Sequence, residues 1–420
     1  MNKYLAHQVL VSSGWDYRNH FLLFMLWPFL SLVVALANYS QKESKRIVYI
    51  FLIYYGLTFI VTQTGMDAFR YAQRFHINSN LPFSDFYEIV GGIYATSTSI
   101  DIIEPFISFV VSRFTSNHNI LFASYAAFFG FFYLKSINLL YKHYKESPGW
   151  NSLIFMFLFI IIIPITSINA PRMWVAAWIF FYGAYHVIVF RDIKYLLVTL
   201  LACFMHWSFF IPSAILMIYY FIGNRNLIYL PIVFVSFIFP NLLFSVFESI
   251  ASMLGGAFET RFRGYTNEGY NLWVQESLEQ AKWFVELSKN LIFYYLIIII
   301  IIINFFQYGL MKNMREKNLF SFLLLFLAFV NFAKPIPAFG ERFQIVFNLF
   351  ATLYVFWYFL KLPGDKISFI TVAGLFPMAL FAAFEFRIGS ESINPWIFAP
   401  GFGLPFIVEE LSLAELFFNK

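Results

Sequence analysis

The chain has 420 residues, 60% of them hydrophobic and only 12% charged, and its mean hydropathy is +0.70. That is more apolar surface than a soluble core of this length can hide, which excludes a soluble globular protein. The formal charge of +5 comes from basic residues scattered between apolar runs, not gathered in a stripe, which argues against a nucleic-acid partner.

In chain order, long apolar runs fall at about 21–38, 47–63, 119–140, 150–168, 171–190, 193–207, 208–222, 227–248, 290–309, 318–334, 341–360 and 367–386. Most approach the roughly 17–25 residues needed to cross a hydrocarbon core. They do not alternate as barrel strands do, so they predict an all-α polytopic membrane protein with about twelve transmembrane helices. The first run follows Asp16, Arg18 and His20 and lacks a small-residue cleavage pattern, so it reads as a retained span. The two runs flanking His206 are short and read equally as one broken or re-entrant pair. No linker or internal repeat divides residues 1–420, which read as a single integral membrane domain. Cys203, the one cysteine, permits no internal disulfide and reads as a packing residue.

Charge sets the expected orientation. The connections on one face carry Lys42, Lys45 and Arg46; Lys142 and Lys145; Arg191 and Lys194; Arg225; Lys312, Arg315 and Lys317; and Lys361 and Lys366, with only Glu43, Glu146, Asp192, Glu316 and Asp365 against them. Short basic loops stay in the cytoplasm, so this face is expected inside. The other face receives both termini and two large segments, 64–118 and 249–289.

The outer segments hold the chemistry-bearing residues. The first has Asp67, Arg70, Tyr71 and Arg74 directly after an apolar run, then Asp101-Ile-Ile-Glu104-Pro105. Pro105 suits the first turn of a short interfacial helix over 105–116, too short to span and ending near Arg113. Asn169-Ala-Pro171-Arg172 puts an arginine at a helix entry, where a guanidinium fork and free backbone amides suit a phosphate; a snorkelling anchor is the plain alternative. His206, in Met205-His206-Trp207-Ser208, reads either as a packed interfacial residue or as a proton carrier. In the second loop, Glu259, Arg261, Arg263, Tyr265 and Tyr270 interleave charge with aromatic rings that can stack on sugars, or simply form a solvated loop. An amphipathic helix is expected over 275–289. Finally Arg342, after Lys334-Pro-Ile-Pro337-Ala-Phe-Gly340-Glu341, repeats the helix-entry position of Arg172.

The order of these elements resembles the EpsG family of bacterial membrane proteins. Gly65-Met-Asp67 with Tyr71, then Glu104-Pro105, Asn169-Ala-Pro-Arg172 with Ala176, Phe204-Met-His206-Trp-Ser208 and the late Glu341-Arg342 match its motifs from about 64 to 222, with a looser echo to about 350. Met173 stands where the family commonly has Gln, and the tail with Asn394-Pro395-Trp396 and Gly401-Phe-Gly403 does not match. The resemblance implies a GT-C-like, metal-independent and cofactor-free membrane glycosyltransferase: a Wzy-type polymerase joining polyprenyl-pyrophosphate-linked oligosaccharides. It would work at the outer face of a bacterial cytoplasmic membrane, alongside a flippase and a chain-length regulator. Arg70, Arg172 and Arg342 would then meet the pyrophosphate, while Tyr71, Arg261, Arg263, Tyr265 and Tyr270 would meet sugars. Asp67, Glu104 and His206 are the candidates to deprotonate the acceptor hydroxyl, with Asp67 first, or else placed to orient an arginine. An O-antigen-ligase-like transferase, a lipid-linked oligosaccharide flippase and a non-catalytic scaffold are the rival readings.

Overall fold

The computed structural model describes residues 17–62, 67–82, 101–254, 259–260, 263, 284–306, 312–362, 366–408 and 411–418. All regular structure among them is helical. Helices α1 (Tyr17–Leu26) and α2 (Pro28–Ala37) are separated at Trp27, because Pro28 cannot donate to the preceding turn. Then come α3 (Lys42–Leu57), α4 (Asp67–Ser79) and α5 (Ile103–Ser112). The middle of the chain forms α6 (His118–Glu146), α7 (Trp150–Ile162), α8 (Pro171–Phe190), α9 (Leu196–Met205), α10 (Phe210–Ile222), α11 (Asn226–Ile238) and α12 (Phe244–Leu254). The remainder forms α13 (Phe284–Phe306), α14 (Met314–Ala333), α15 (Pro337–Leu360), α16 (Phe369–Gly389), α17 (Leu404–Ile407) and α18 (Leu413–Phe418).

Seven helices among the described residues are long and apolar enough to cross a membrane: α6, α7 with its extension to Asn169, α8, α13, α14, α15 and α16. An eighth crossing is obtained if Asn226–Ile238 and Pro240–Val246, bent by 102° at their break, count as one span. The other four expected crossings, 21–38, 47–63, 193–207 and 208–222, fall on helices of 10 to 16 residues, shorter than a hydrocarbon core requires. The structure therefore shows a polytopic helical architecture with seven to eight spans of full length.

Burial ranks the spans. The apolar windows of α15, α14 and α8 are 89%, 83% and 78% buried, against 39% for α13 and 33% for α16, so the first three form the centre and the last two the rim. Apolar residues on every side of a helix suit either position, since lipid and core are equally apolar; close packing decides between them. Trp178 of α8 illustrates the centre: it is fully buried, with Phe129, Tyr133, Phe159 and Phe181 edge-on around it. Gly56 shows what the contact between α3 and α6 requires, because a Cβ there would lie 2.6 Å from the Phe122 carbonyl oxygen and 2.9 Å from Ala123 Cα.

The basic connections gather at one end. Lys45 lies close enough to Lys145 to repel it, Arg315 stacks over Phe190, Ser147 donates to Leu360 O at 3.0 Å, and Asn151 donates to Lys366 O at 3.0 Å. Capping closes the helices there: Asn313 and Glu316 form a reciprocal capping box at the start of α14, and Ser368 accepts from Thr371 N. At the opposite end lie the starts of α6, α8 and α15 and the junction between α9 and α10. The tail residues that match no motif pack there, where Gly401, at φ 118°, donates to Leu26 O and Phe402 stacks on Tyr54.

Candidate functional site

Helix α4 sorts the residues of the first outer segment by face. Ala68, Tyr71, Ala72 and Phe75 recur at helical spacing and are buried, so this short amphipathic helix lies on the bundle with Tyr71 inward. Asp67 and Arg70 point away: their side chains are 39% and 73% exposed and pair with each other at 3.6 Å. Helix α5 packs beside α4, as expected for a short non-spanning helix. Arg113, at its end, donates to the carbonyls of Asn78 and Leu81 and so ties the ends of the two helices together.

The start of α5 docks on the junction after α9. Ile102 N donates to Phe204 O at 3.0 Å, which carries Asp101 to the extended link at His206. Asp101 is 1% exposed, and its two oxygens are engaged from different elements. Oδ1 accepts from the Trp207 backbone amide at 2.9 Å and lies 3.3 Å from His206 Nδ1, while Oδ2 accepts from Arg172 Nη1 at 2.8 Å. Arg172, in the first turn of α8 behind Pro171, also donates from Nε to the Tyr71 hydroxyl at 2.5 Å, and its guanidinium lies 5.4 Å from the Tyr71 ring centroid. A second guanidinium, that of Arg74, lies 4.8 Å from the same centroid. One chain of contacts, Tyr71–Arg172–Asp101–His206, thereby joins four segments scattered over the sequence.

Glu104 extends this cluster. It is 3% exposed, its Oε1 accepts from Tyr125 at 2.8 Å, and its Oε2 lies 3.8 Å from Arg74, beyond hydrogen-bond length. Arg342 approaches from the start of α15, close enough to His206 for its charge to be felt there, and has no carboxylate or hydrogen-bond partner among the described residues. Gly340 holds this helix start close to the preceding turn, since a Cβ would meet Lys334 Cα at 2.7 Å.

Burial alone would raise the Asp101 carboxyl. The contacts with His206, with the Arg172 guanidinium and with the Trp207 amide more than offset that and hold it well below the usual carboxylate range. Burial keeps His206 below the ordinary imidazole value, with Arg172 and Arg342 adding to the effect and Asp101 opposing it. At neutral pH the pair is therefore a carboxylate beside a neutral imidazole. Burial also pushes the Tyr71 hydroxyl up to about 12, so it stays protonated. An imidazole backed by a carboxylate at Nδ1 can accept a proton at Nε2, and a fixed guanidinium can receive developing negative charge.

Of the residues expected from sequence, Tyr71, Glu104, Arg172, His206 and Arg342 converge here, while Asp67 and Arg70 lie on the exposed side of α4. Arg263 is exposed and paired with Glu259 at 2.6 Å. Arg261, Tyr265, Tyr270 and residues 275–283 of the expected amphipathic helix lie outside the described residues. Asp101, the centre of the constellation, was not singled out as a site residue. The available signal was an acid preceding a short apolar helix with no basic residue within ten positions, which obliges it to find a partner from elsewhere in the chain. Among the described residues no group of three or more His, Cys, Asp or Glu side chains is placed to hold a metal ion.

Fold and site together define a polytopic helical membrane protein with a buried polar constellation at the end of the bundle away from its basic loops. Residues 47–397 match the family model of the EpsG family, which covers most of the chain, and the chain belongs to that family. Membership places it among membrane proteins of polysaccharide assembly. No curated protein and no solved structure matches the chain.

Proposed function

We propose that the protein is a metal-independent polymerase that joins polyprenyl-pyrophosphate-linked oligosaccharide repeat units at the outer face of a bacterial cytoplasmic membrane. The observation that carries this reading is the convergence of Tyr71, Asp101, Arg172 and His206 from four segments into one buried constellation. The basic loops at the opposite end support the orientation, since such loops remain cytoplasmic.

In this mechanism His206 Nε2 takes the proton of the acceptor hydroxyl as its oxygen attacks the anomeric carbon of the donor sugar. Asp101 stabilises the imidazolium that forms and keeps the ring in place. The bond from the anomeric carbon to the pyrophosphate oxygen breaks, and the polyprenyl pyrophosphate leaves with the electron pair. Arg172 has used two of its five donors on Tyr71 and Asp101, so its orientation is fixed while the others remain for the departing phosphate; Arg342 supplies a second cation. Arg74 and Glu104 sit behind Tyr71 and position it. The geometry favours His206 over Asp67 as base, because among the described residues Asp67 pairs with Arg70 alone and faces outward.

Reconstitution with a lipid-linked repeat unit tests the proposal. Growth of the glycan on the carrier lipid supports it. Translocation without new glycosidic bonds, or transfer to a different lipid acceptor with no lengthening, rejects it in favour of a flippase or a ligase.

A further inference from the structure

Among the described residues, an apolar cleft of about 260 Å³ lies between α11, α13, α14 and α15. Its floor is formed by buried Leu323, Leu327 and Phe347, and its rim by Leu230, Phe234 and Ile301, which are 43%, 67% and 48% exposed. The cleft therefore opens sideways toward the hydrocarbon. On α13 its lining runs from Ile297 to Phe305, which at about 1.5 Å per residue is roughly 12 Å along the membrane normal.

A cation lies outward of this cleft, just past the end of α14 and seven residues beyond Leu327 of the lining. One turn above Ile297, Phe293 packs on Phe347 with ring centroids 5.5 Å apart, and the Lys334 ammonium lies 4.7 Å from the Phe293 centroid. Lys334 also lies 5.2 Å from the Tyr294 ring, and it has no carboxylate partner among the described residues. Through Gly340, the Lys334 backbone is packed against the start of α15, the helix that carries Arg342 to the candidate site. An ammonium that donates to the Tyr294 hydroxyl at 3.4 Å but meets no carboxylate among the described residues, joined through one tight turn to a second cation above an apolar slot, matches a long apolar chain with an anionic head.

We infer that this cleft holds isoprene units beyond the first two of the polyprenyl tail of the pyrophosphate-linked substrate, with Lys334 nearer the head and the pyrophosphate reaching toward Arg342. The inference rests on the polymerase reading for the identity of the lipid and adds the route by which that lipid enters. Lateral entry between α11 and α13 suits a substrate that never leaves the bilayer, and the apolar walls discriminate by tail length through close packing, since lipid and protein core are equally apolar.

The test is equilibrium binding of two sugar-free probes to the full-length protein in detergent: a long-chain polyprenyl pyrophosphate and a two-isoprene pyrophosphate. The unaltered protein is expected to bind the long probe at least tenfold more tightly. Leu230→Trp with Ile301→Trp, which fills the cleft from its lipid-exposed rim, should erase that preference while leaving the short probe's affinity within twofold. Lys334→Gln should weaken both probes several-fold. Equal affinity for the two probes in the unaltered protein overturns the inference, as does displacement of the long probe by equimolar phosphatidylglycerol, which would make the cleft a general lipid site. Because no sugar is involved, tail-dependent binding without chain lengthening would sink the polymerase reading alone, whereas chain lengthening with tail-independent binding would sink the cleft alone.

Discussion

Glu316 at the basic end and Asp101 at the opposite end have side chains only 7% and 2% exposed, yet their oxygens meet different kinds of partner. Glu316 accepts from the backbone of Asn313, three residues away, and pairs with Lys361; both contacts fasten helix ends. Asp101 instead joins a guanidinium from the start of α8 to an imidazole and a backbone amide from the junction between α9 and α10. Two of these partners keep functional groups that Asp101 orients but does not saturate. A structural buried acid is satisfied within a helix turn or by one neighbour, whereas an acid that positions chemistry leaves its partners with something to offer a substrate. Breaking each cluster in turn is the way to test that contrast.

The largest expected effect is at Arg172. Replacing it by alanine removes the fixed cation and leaves Asp101 with one charge partner fewer, so the chain-lengthening rate should fall by about 10²–10³ or more. Losing one member of a buried pair also costs about 3–5 kcal/mol of stability, so the measurement is chain length per molecule of purified, folded protein. Normal chains from Arg172→Ala would remove the arginine from the mechanism. Next is Asp101→Asn, expected to slow the reaction by about 10²-fold. It carries a sign as well as a size. In the proposed mechanism His206 works as the neutral base, so activity should fall as pH drops through its depressed value, which lies below the ordinary imidazole value of about 6.5. Asp101 raises His206, and removing the carboxylate must therefore move this acid limb to still lower pH. A limb that stays in place or moves upward rejects the pairing of the two.

Much of the contrast between the ends was legible in the sequence, and the part that was not has a definite physical origin. The apolar runs and their basic connections follow from composition at short range, so the spans from α6 to α8 and from α13 to α16 were located within a few residues. Helical phase was harder to use. Asp67, Arg70 and Tyr71 all belong to one motif, but a step of about 100° per residue turns Tyr71 into the bundle and leaves Arg70 outside. Asp101 was hidden for the opposite reason: its partners at 172, 206 and 207 are long-range, and no local pattern announces them. The expected crossings near 21–38 and 47–63 show the limit of hydropathy, because Pro28 splits one and the charged start of α3 shortens the usable length of the other.

Smaller effects sharpen the comparison further. Tyr71→Phe removes the hydroxyl that accepts from Arg172 Nε, leaving a buried donor unmatched at a cost of about 1–3 kcal/mol and slowing chain lengthening by roughly tenfold. Glu316→Gln weakens a helix cap and a partly exposed pair, so thermal unfolding should shift by an amount corresponding to about 1 kcal/mol while chain length stays normal. Arg70→Ala should do least. Its ion pair with Asp67 is exposed, and such pairs are worth between zero and about 1 kcal/mol, so both stability and chain length are expected to match the parent protein. Arg70 and Tyr71 are neighbours in sequence and on the same helix, so the two substitutions differ only in the face they alter. A larger loss from Arg70→Ala than from Tyr71→Phe would mean that α4 presents its charged face to the substrate. In that case Asp67, not His206, would regain first place as the base.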